Sequence, residues 1–276
     1  MQDQIISYVE EIAAWRAVAE AALRAPEGWL SLAGLFWLHE GTNRVGSDPQ
    51  YEIALPAGLP PFVGEICLRD GAVTIGVAGP SMLLNGEPPD ERPLRADTEP
   101  PADRISVERL ALQIIRRGSR VGVRVRDPEG AARAAFAGRR WYAARPEYRI
   151  VARFVPYDPP RPIAITSILG DTEDQLSPGA AIFQLDGQEL RLDAVASADD
   201  TLFFNFRDRT AGESTYGAGR FLYAALPHDG TLVLDFNKAV NPPCAFTSYA
   251  TCPLPPPQNR LPVAIPVGEL DAHVTG

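Results

Sequence analysis

The chain has 276 residues, of which 45% are apolar and 22% are charged, and its formal net charge is −9. This composition excludes a disordered chain, a collagen-like fibre and a membrane-spanning protein, and the negative charge argues against a nucleic-acid partner. The 27 prolines disfavour a mainly helical fold, because each proline removes a backbone hydrogen-bond donor.

The first predicted element is an amphipathic helix over residues 3–25, with Asp3 as its N-cap and Pro26 after its end. The apolar residues that recur at helical spacing are Ile5, Val9, Ile12, Ala19 and Leu23. Glutamates on its polar face favour a helix that packs on the protein over one that lies on a membrane. Because the sequence opens without a basic and then an apolar region, we expect a cytoplasmic protein with no signal peptide and no membrane contact.

Beyond the helix, the hydrophobic period changes to two, which is typical of half-buried strands. Residues 120–126 alternate arginine with valine, and a short loop with a glycine joins them to residues 110–116. Asp186 and Gly187 separate two apolar runs, which is the strongest hairpin signal in the chain. We therefore predict a mainly β protein, in which an N-terminal helix is followed by a β-sandwich packed against a second antiparallel β unit.

Turn-forming residues and prolines divide the sequence into segments. We predict an N-terminal helix over residues 1–28, a β-sandwich domain over residues 29–135 and a C-terminal β domain over residues 136–276. In residues 242–266, prolines are interleaved with apolar and polar residues. This pattern favours a rigid extended segment wrapped over the fold and ending in a strand; the alternative is a polyproline ligand for another domain.

Polar side chains gather at the open end of another predicted hairpin, formed by residues 221–226 and 231–237. The register of this hairpin places Arg220 opposite Asn237 and diagonal to Asp235, within reach of an ion pair. The segments before and after the hairpin bring further polar residues to the same end of the sheet.

From this cluster we predict a site for a small anionic or carboxylate-bearing molecule. Arginine binds such groups in a bidentate manner, and aspartate and tyrosine can serve as general base and acid. The candidate ligand-binding residues are Arg207, Arg220, Asn237, Asn241, Asn259 and Arg260, and the candidate catalytic residues are Asp208, Tyr216 and Asp235. The alternative is a structural network of satisfied ion pairs at the strand ends.

The sequence lacks the motifs of several common metal, cofactor and catalytic sites. His39, His228 and His273 stand in no zinc motif, so we predict no metal. The chain also has no Gly-x-Ser-x-Gly elbow and no glycine loop for phosphate or a dinucleotide, so we predict no cofactor. We expect Cys244 and Cys252 to be buried structural thiols, with a disulfide, a metal ligand and a nucleophile as the alternatives.

Two C-terminal motifs are distinctive: Asn-Pro-Pro-Cys-Ala-Phe at residues 241–246 and Cys-Pro-Leu-Pro-Pro-Pro-Gln-Asn-Arg-Leu-Pro at residues 252–262. With them, the chain resembles the bacterial and archaeal domain of unknown function 1684 family over nearly its whole length. The other segments that carry this resemblance are residues 29–38, 46–48, 203–208, 215–222 and 235–238. The family implies no substrate, but the resemblance includes the same C-terminal segments as the predicted site.

Residues 42–127 also resemble a forkhead-associated β-sandwich. The resemblance rests on residues 43–48, a strand at residues 52–55 and Leu-Asn-Gly-Glu at residues 84–87. Pro-Phe-Val-Gly at residues 61–64 stands where such domains carry Ser-x-x-His, so we expect a scaffold rather than a phosphothreonine site. The alternative function is a protein-interaction module that uses this half of the chain.

Overall fold

The computed structural model describes residues 2–196 and 200–272. The chain divides into two compact units: Leu23–Phe136 form one, named the N-terminal unit, and Met1–Ala22 with Ala137–Gly276 form the other, named the C-terminal unit. The fold is mainly β and opens with a helix, as the sequence pattern predicted.

The opening helix, α1 (Gln2–Arg24), is only partly buried along its predicted apolar stripe. Ile12 is fully buried, whereas Ile5 and Val9 are exposed, which corrects the expectation that the whole stripe packs on the fold. Polar contacts hold the helix as well, because the Tyr8 hydroxyl donates to Asp235 Oδ1 at 2.7 Å. The helix begins at Gln2, one residue before the predicted N-cap position.

The N-terminal unit contains two sheets and one short helix. Its elements are β1 (Leu32–Trp37), β2 (Gly41–Gly46), β3 (Ile53–Ala54), β4 (Gly64–Arg69), β5 (Ala72–Ala78), β6 (Met82–Leu84), β7 (Ile105–Val107), β8 (Leu110–Arg117), β9 (Arg120–Arg126) and α2 (Ala131–Ala135). The strand orders are β1-β9-β8-β7-β6 and β3-β2-β4-β5. Side chains from both sheets, such as Val45 and Leu112, form one buried core.

The predicted hairpin of β8 and β9 is confirmed, with Arg117 paired to Arg120 across a two-residue turn. The alternation of arginine and valine predicted that the arginine face of β9 is exposed, but this face is partly covered. Arg124 is 4% exposed, and its guanidinium lies 5.4 Å from the centre of the Trp29 ring. Both faces of this strand are therefore covered.

The C-terminal unit contains two further sheets beside α1. Its strands are β10 (Arg149–Thr166), β11 (Thr172–Leu185), β12 (Gln188–Asp193), β13 (Val195–Ala196), β14 (Thr201–Phe206), β15 (Arg220–Ala225) and β16 (Thr231–Asp235). Their orders are β12-β11-β10-β16 and β13-β14-β15. The short 3₁₀ helices of the chain are Trp29–Ser31, Pro146–Tyr148, Phe236–Lys238, Pro243–Ala245 and Pro257–Asn259.

The hairpin predicted at Asp186 and Gly187 is confirmed. Leu185 pairs with Gln188 between β11 and β12. Asp186 and Gly187 have φ of 51° and 73°, the left-handed pair that a tight hairpin turn requires.

The hairpin predicted over residues 221–237 is wrong. β15 pairs with β14, and β16 pairs with β10 in the other sheet, so the chain crosses between sheets at residues 226–230. Leu222 is consequently in the core, and Tyr223 is 52% exposed. Apolar alternation shows which residues share a face, but it does not identify the strand that supplies the hydrogen bonds.

The proline-rich segment, residues 242–266, includes two of the 3₁₀ helices and does not end in the predicted strand. Leu261 and Val263 are buried, as their alternation suggested. The backbone N–H of Leu261 donates to Arg207 O at 2.7 Å, and that of Arg209 donates to Val263 O at 2.9 Å. The segment is therefore bound along the chain that follows β14.

Candidate functional site

Arg220 and Asp208, two of the predicted site residues, form a buried ion pair. Arg220 Nη2 lies 3.2 Å from Asp208 Oδ1, and each side chain is 1% exposed. Arg220 also donates to the carbonyl oxygens of Val267 and Ile265, and burial lowers the pKa of its guanidinium. The other carboxylate oxygen accepts from the Ile265 backbone N–H at 2.6 Å. The pair joins the end of the chain to the sheet and offers no surface to a ligand.

Asp235 and Asn237 belong to a different group, which holds α1. Asp235 Oδ1 accepts from Tyr8 at 2.7 Å and from the Asn237 backbone N–H at 3.2 Å. The Asn237 amide donates to Tyr8 Oη and to Arg145 O, each at 2.9 Å. Burial, together with the hydrogen bond to Asp235, raises the pKa of Tyr8. The predicted ion pair between Asp235 and Arg220 is absent, because their strands lie in different sheets.

Asn241 lies in a third group, with Glu269. The Asn241 backbone N–H donates to Glu269 Oε2, and its side-chain amide donates to Leu270 O, both at 2.8 Å. Glu269 is 1% exposed and lies 2.5 Å from Arg139 Nη1. Burial outweighs the attraction of Arg139 and raises the pKa of Glu269 to about 7. This group also fastens the C-terminal segment.

Asn259 links the proline-rich segment to both sheets. Its Oδ1 accepts from the Asp193 backbone N–H at 2.7 Å, and its Nδ2 donates to Asp193 O and Asn205 O at 2.9 and 3.0 Å. The side chain is buried and its hydrogen-bonding capacity is largely used. Asn259 therefore positions Asp193 and Asn205.

Arg207 and Arg260 remain exposed and lie side by side, joined by a parallel backbone bridge. In the part of the chain that the structure describes, neither guanidinium has a carboxylate partner. Tyr216 lies elsewhere, where its hydroxyl donates to Cys244 O at 3.1 Å. The predicted site residues thus form several groups with different hydrogen-bond partners, two of which are neighbours because the Arg220 charge acts on Glu269.

A narrow recess lies beside Asn259, with Ile163, Phe203, Gln175 and Asn205 in its walls. Its interior volume is about 10 Å³, which is room for one group of the size of a water molecule. Asn205 is 5% exposed, and its Nδ2 donates to Pro253 O at 2.8 Å. Among the residues described, no donor reaches Asn205 Oδ1. Asn205, in the wall of the recess, therefore carries a buried acceptor that receives no hydrogen bond from the described residues.

An open groove adjoins the recess, and Ile163 and Asp193 lie in the walls of both. Asp193 Oδ1 accepts from the Tyr157 hydroxyl and from Arg191 Nη2, each at 2.8 Å. The Arg161 guanidinium lies 4.5 Å from the centre of the Tyr157 ring. Arg191 thus has a carboxylate partner, whereas Arg161 has none within residues 2–196 and 200–272.

An interruption of the sheet places these groups together. The pairing of β10 with β11 passes from Pro156 and Gly179 to Arg161 and Ser177, so residues 157–160 bulge out of the ladder. The first residue of the bulge is the tyrosine that contacts Asp193. The bulge therefore brings a phenol from β10 to the end of β12, across the strand that lies between them.

Sequence reasoning missed the groove. Arg191 and Asp193 alternate with the buried Leu190 and Leu192, so period-two spacing alone could have placed them on one face of β12. Tyr157 carries no such signal, because its position depends on the bulge.

Among the described residues, no group of three or more acidic, cysteine or histidine side chains is placed to hold a metal ion. His273 lies outside those residues. In the same part of the chain, no helix is long and apolar enough to cross a membrane.

Comparisons with known proteins find similarity over part of the chain. Residues 134–270 match the sequence profile of a family described as "Protein of unknown function (DUF1684)". A solution structure of an uncharacterized protein of Haloarcula marismortui is 33% identical, over 51% of this chain and 81% of that chain, with a TM-score of 0.44. No curated protein matches the chain. Residues 134–270 thus resemble this uncharacterised family, while the forkhead-associated resemblance and the longer family resemblance stay predictions.

Proposed function

We propose that the C-terminal unit, which carries the family match, binds a small molecule with a carboxylate or another anionic group in the groove beside Asp193. The observation that carries this proposal is Arg161, which lines the groove with no carboxylate partner among the described residues. Its guanidinium is stacked on Tyr157, and stacking of this kind leaves the edge donors of the guanidinium free for an anion.

The neighbouring charges support an anionic ligand. Arg191 donates to Asp193 through Nε and Nη2, so its Nη1 keeps donors for a second acceptor. Two guanidinium groups and one carboxylate give this end of the groove a net charge of one positive unit. That sign favours binding of a carboxylate or phosphate.

The recess indicates a second functional group that the ligand should carry. An unmet buried acceptor such as Asn205 Oδ1 costs about 1–3 kcal/mol, and a hydroxyl or amino group in the recess would recover that energy. We therefore favour a ligand that carries a hydroxyl or amino group close to its anionic group. The room in the recess suits one such group.

The test compares two arginines of β10. Small hydroxy acids, amino acids and phosphate esters are screened by thermal shift, and the best compound is titrated calorimetrically into the wild type, Arg161→Gln and Arg153→Gln. Charge-assisted hydrogen bonds contribute about 1.5–3 kcal/mol, so Arg161→Gln should raise Kd about tenfold or more. Arg153 is exposed on the same strand and does not line the groove, so Arg153→Gln makes the same change in net charge without changing Kd.

Two outcomes would refute the proposal. Equal losses of affinity in both variants would show that only the overall charge matters. The absence of any stabilising compound that carries an anionic group would remove the basis for a ligand in this groove.

A further inference from the structure

Cys244 and Cys252 face each other across a loop of the proline-rich segment. The Cys244 backbone N–H donates to Cys252 Sγ at 3.2 Å, and neither cysteine is in a disulfide. Cys244 lies in the 3₁₀ helix Pro243–Ala245, and the Cys252 carbonyl accepts from the Ile168 backbone N–H at 2.8 Å. Backbone contacts therefore hold both residues, and they place the Cys252 sulfur beside the Cys244 backbone.

The two thiols differ in ways that suit separate roles. Cys252 is 4% exposed, whereas Cys244 is only half-buried. Side-chain hydrogen bonding with Cys252 and with Tyr216 lowers the pKa of Cys244 to about 7. Because the thiolate is the nucleophilic form, Cys244 is the better attacking group and Cys252 the better second thiol.

We propose that Cys244 and Cys252 form a reversible intramolecular disulfide, with the disulfide of a small thiol, such as glutathione disulfide, as the oxidant. The Cys244 thiolate attacks one sulfur of the oxidant, which forms a mixed disulfide and releases one small thiolate. Cys252 then loses its proton and attacks the Cys244 sulfur, which forms the internal bond and releases the second small thiolate. The two cysteines lose two electrons, and one small disulfide becomes two thiols, which take up the two protons. The proposal uses contacts outside the groove and does not depend on the proposed function.

The main experiment is mass spectrometry of the folded, full-length protein after incubation with glutathione disulfide. No lysine or arginine lies between Lys238 and Arg260, so trypsin releases both cysteines in one peptide. We expect that peptide to lose the mass of two hydrogen atoms and to resist alkylation. A peptide with a stable glutathione adduct, or with two free thiols, would overturn the proposal.

Variants test the order of the two steps. Cys252→Ser should stop at a glutathione adduct on Cys244, while Cys67→Ser, which changes a buried cysteine of the N-terminal unit, should leave the internal disulfide unchanged. An adduct on Cys67 in place of Cys244 would contradict the assignment of the attacking thiol.

Two further measurements do not depend on trapping an intermediate. The pH midpoint for alkylation of Cys244 should lie near 7 in the wild type and move toward the ordinary thiol value of about 8.5 in Cys252→Ala. In glutathione buffers, the folded chain should hold more of the disulfide than the chain unfolded in urea. Equal amounts would show that closeness in sequence, and not the fold, forms the bond.

Discussion

Replacing Asp208 with alanine should destabilise the C-terminal unit by about 4 kcal/mol, because it leaves the Arg220 charge buried without a partner. Asp208 receives hydrogen bonds from Arg220 Nη2, from the Thr210 hydroxyl and from the Ile265 backbone N–H, at 3.2, 2.9 and 2.6 Å. Breaking a buried ion pair from one side costs about 3–5 kcal/mol. The Ile265 N–H, left without an acceptor, contributes about 1–3 kcal/mol that partly overlaps with this cost.

A second variant separates the buried charge from the lost packing. The double variant Asp208→Ala with Arg220→Met removes both charges, and replacing a buried pair by apolar groups is often close to neutral. It should therefore be more stable than Asp208→Ala alone. Asp174→Ala, on the exposed face of β11, is the control and should change stability by about 0.5 kcal/mol or less.

The measurement is native-state hydrogen exchange followed by mass spectrometry of peptides from β14 and β15. A chain with two units need not unfold in one step, and local exchange reports the C-terminal unit by itself. A loss of less than about 1 kcal/mol in Asp208→Ala, below the range for a broken buried pair, would refute the reasoning. So would a double variant no more stable than the single one.

Three other changes test separate parts of the structure. Because the pKa of Glu269 is raised, the folded state keeps a proton that the unfolded chain releases. The contribution of Glu269 to the free energy of unfolding is therefore fully present below pH 4.5 and is lost as the pH rises to about 7. Urea titrations between these pH values should show this decrease in the wild type and lack it in Glu269→Gln. Tyr8→Phe removes a hydrogen bond to the carboxylate of Asp235 and should lower the stability of the packed helix α1 by about 1.5–3 kcal/mol. Hydrogen exchange should then become faster in α1 and stay unchanged in β14. A methyl group at Gly46 would lie 1.9 Å from Pro61 O, so Gly46→Ala should destabilise the N-terminal unit by about 1–3 kcal/mol or more. Hydrogen exchange should then become faster in β2 but not in β14.

Local features of the fold could be predicted from the sequence. The turn at Asp186 and Gly187 joins β11 to β12 because its residues adopt the left-handed conformation that such a turn needs, and the strands beside it are neighbours in the chain. The mainly β character and the opening helix are likewise properties of hydrophobic period, which any short window of sequence displays.

The partners of β15 and β16 could not be predicted in the same way. A strand with alternating apolar residues can pair with any strand that covers the same face, and the choice depends on contacts between distant parts of the chain. The wrong hairpin placed Arg220 beside Asp235, whereas the fold gives each of them other partners.

The sequence by itself determined where polar residues concentrate in the C-terminal half, but not which of them are available to a ligand. Asp208, Asn237 and Asn259 are buried and bonded to other parts of the protein. The groove depends on a bulge in β10 that brings Arg161 and Tyr157 to the end of β12. Only the tertiary structure decides this, because a charge is free or paired according to which distant residue the fold places beside it.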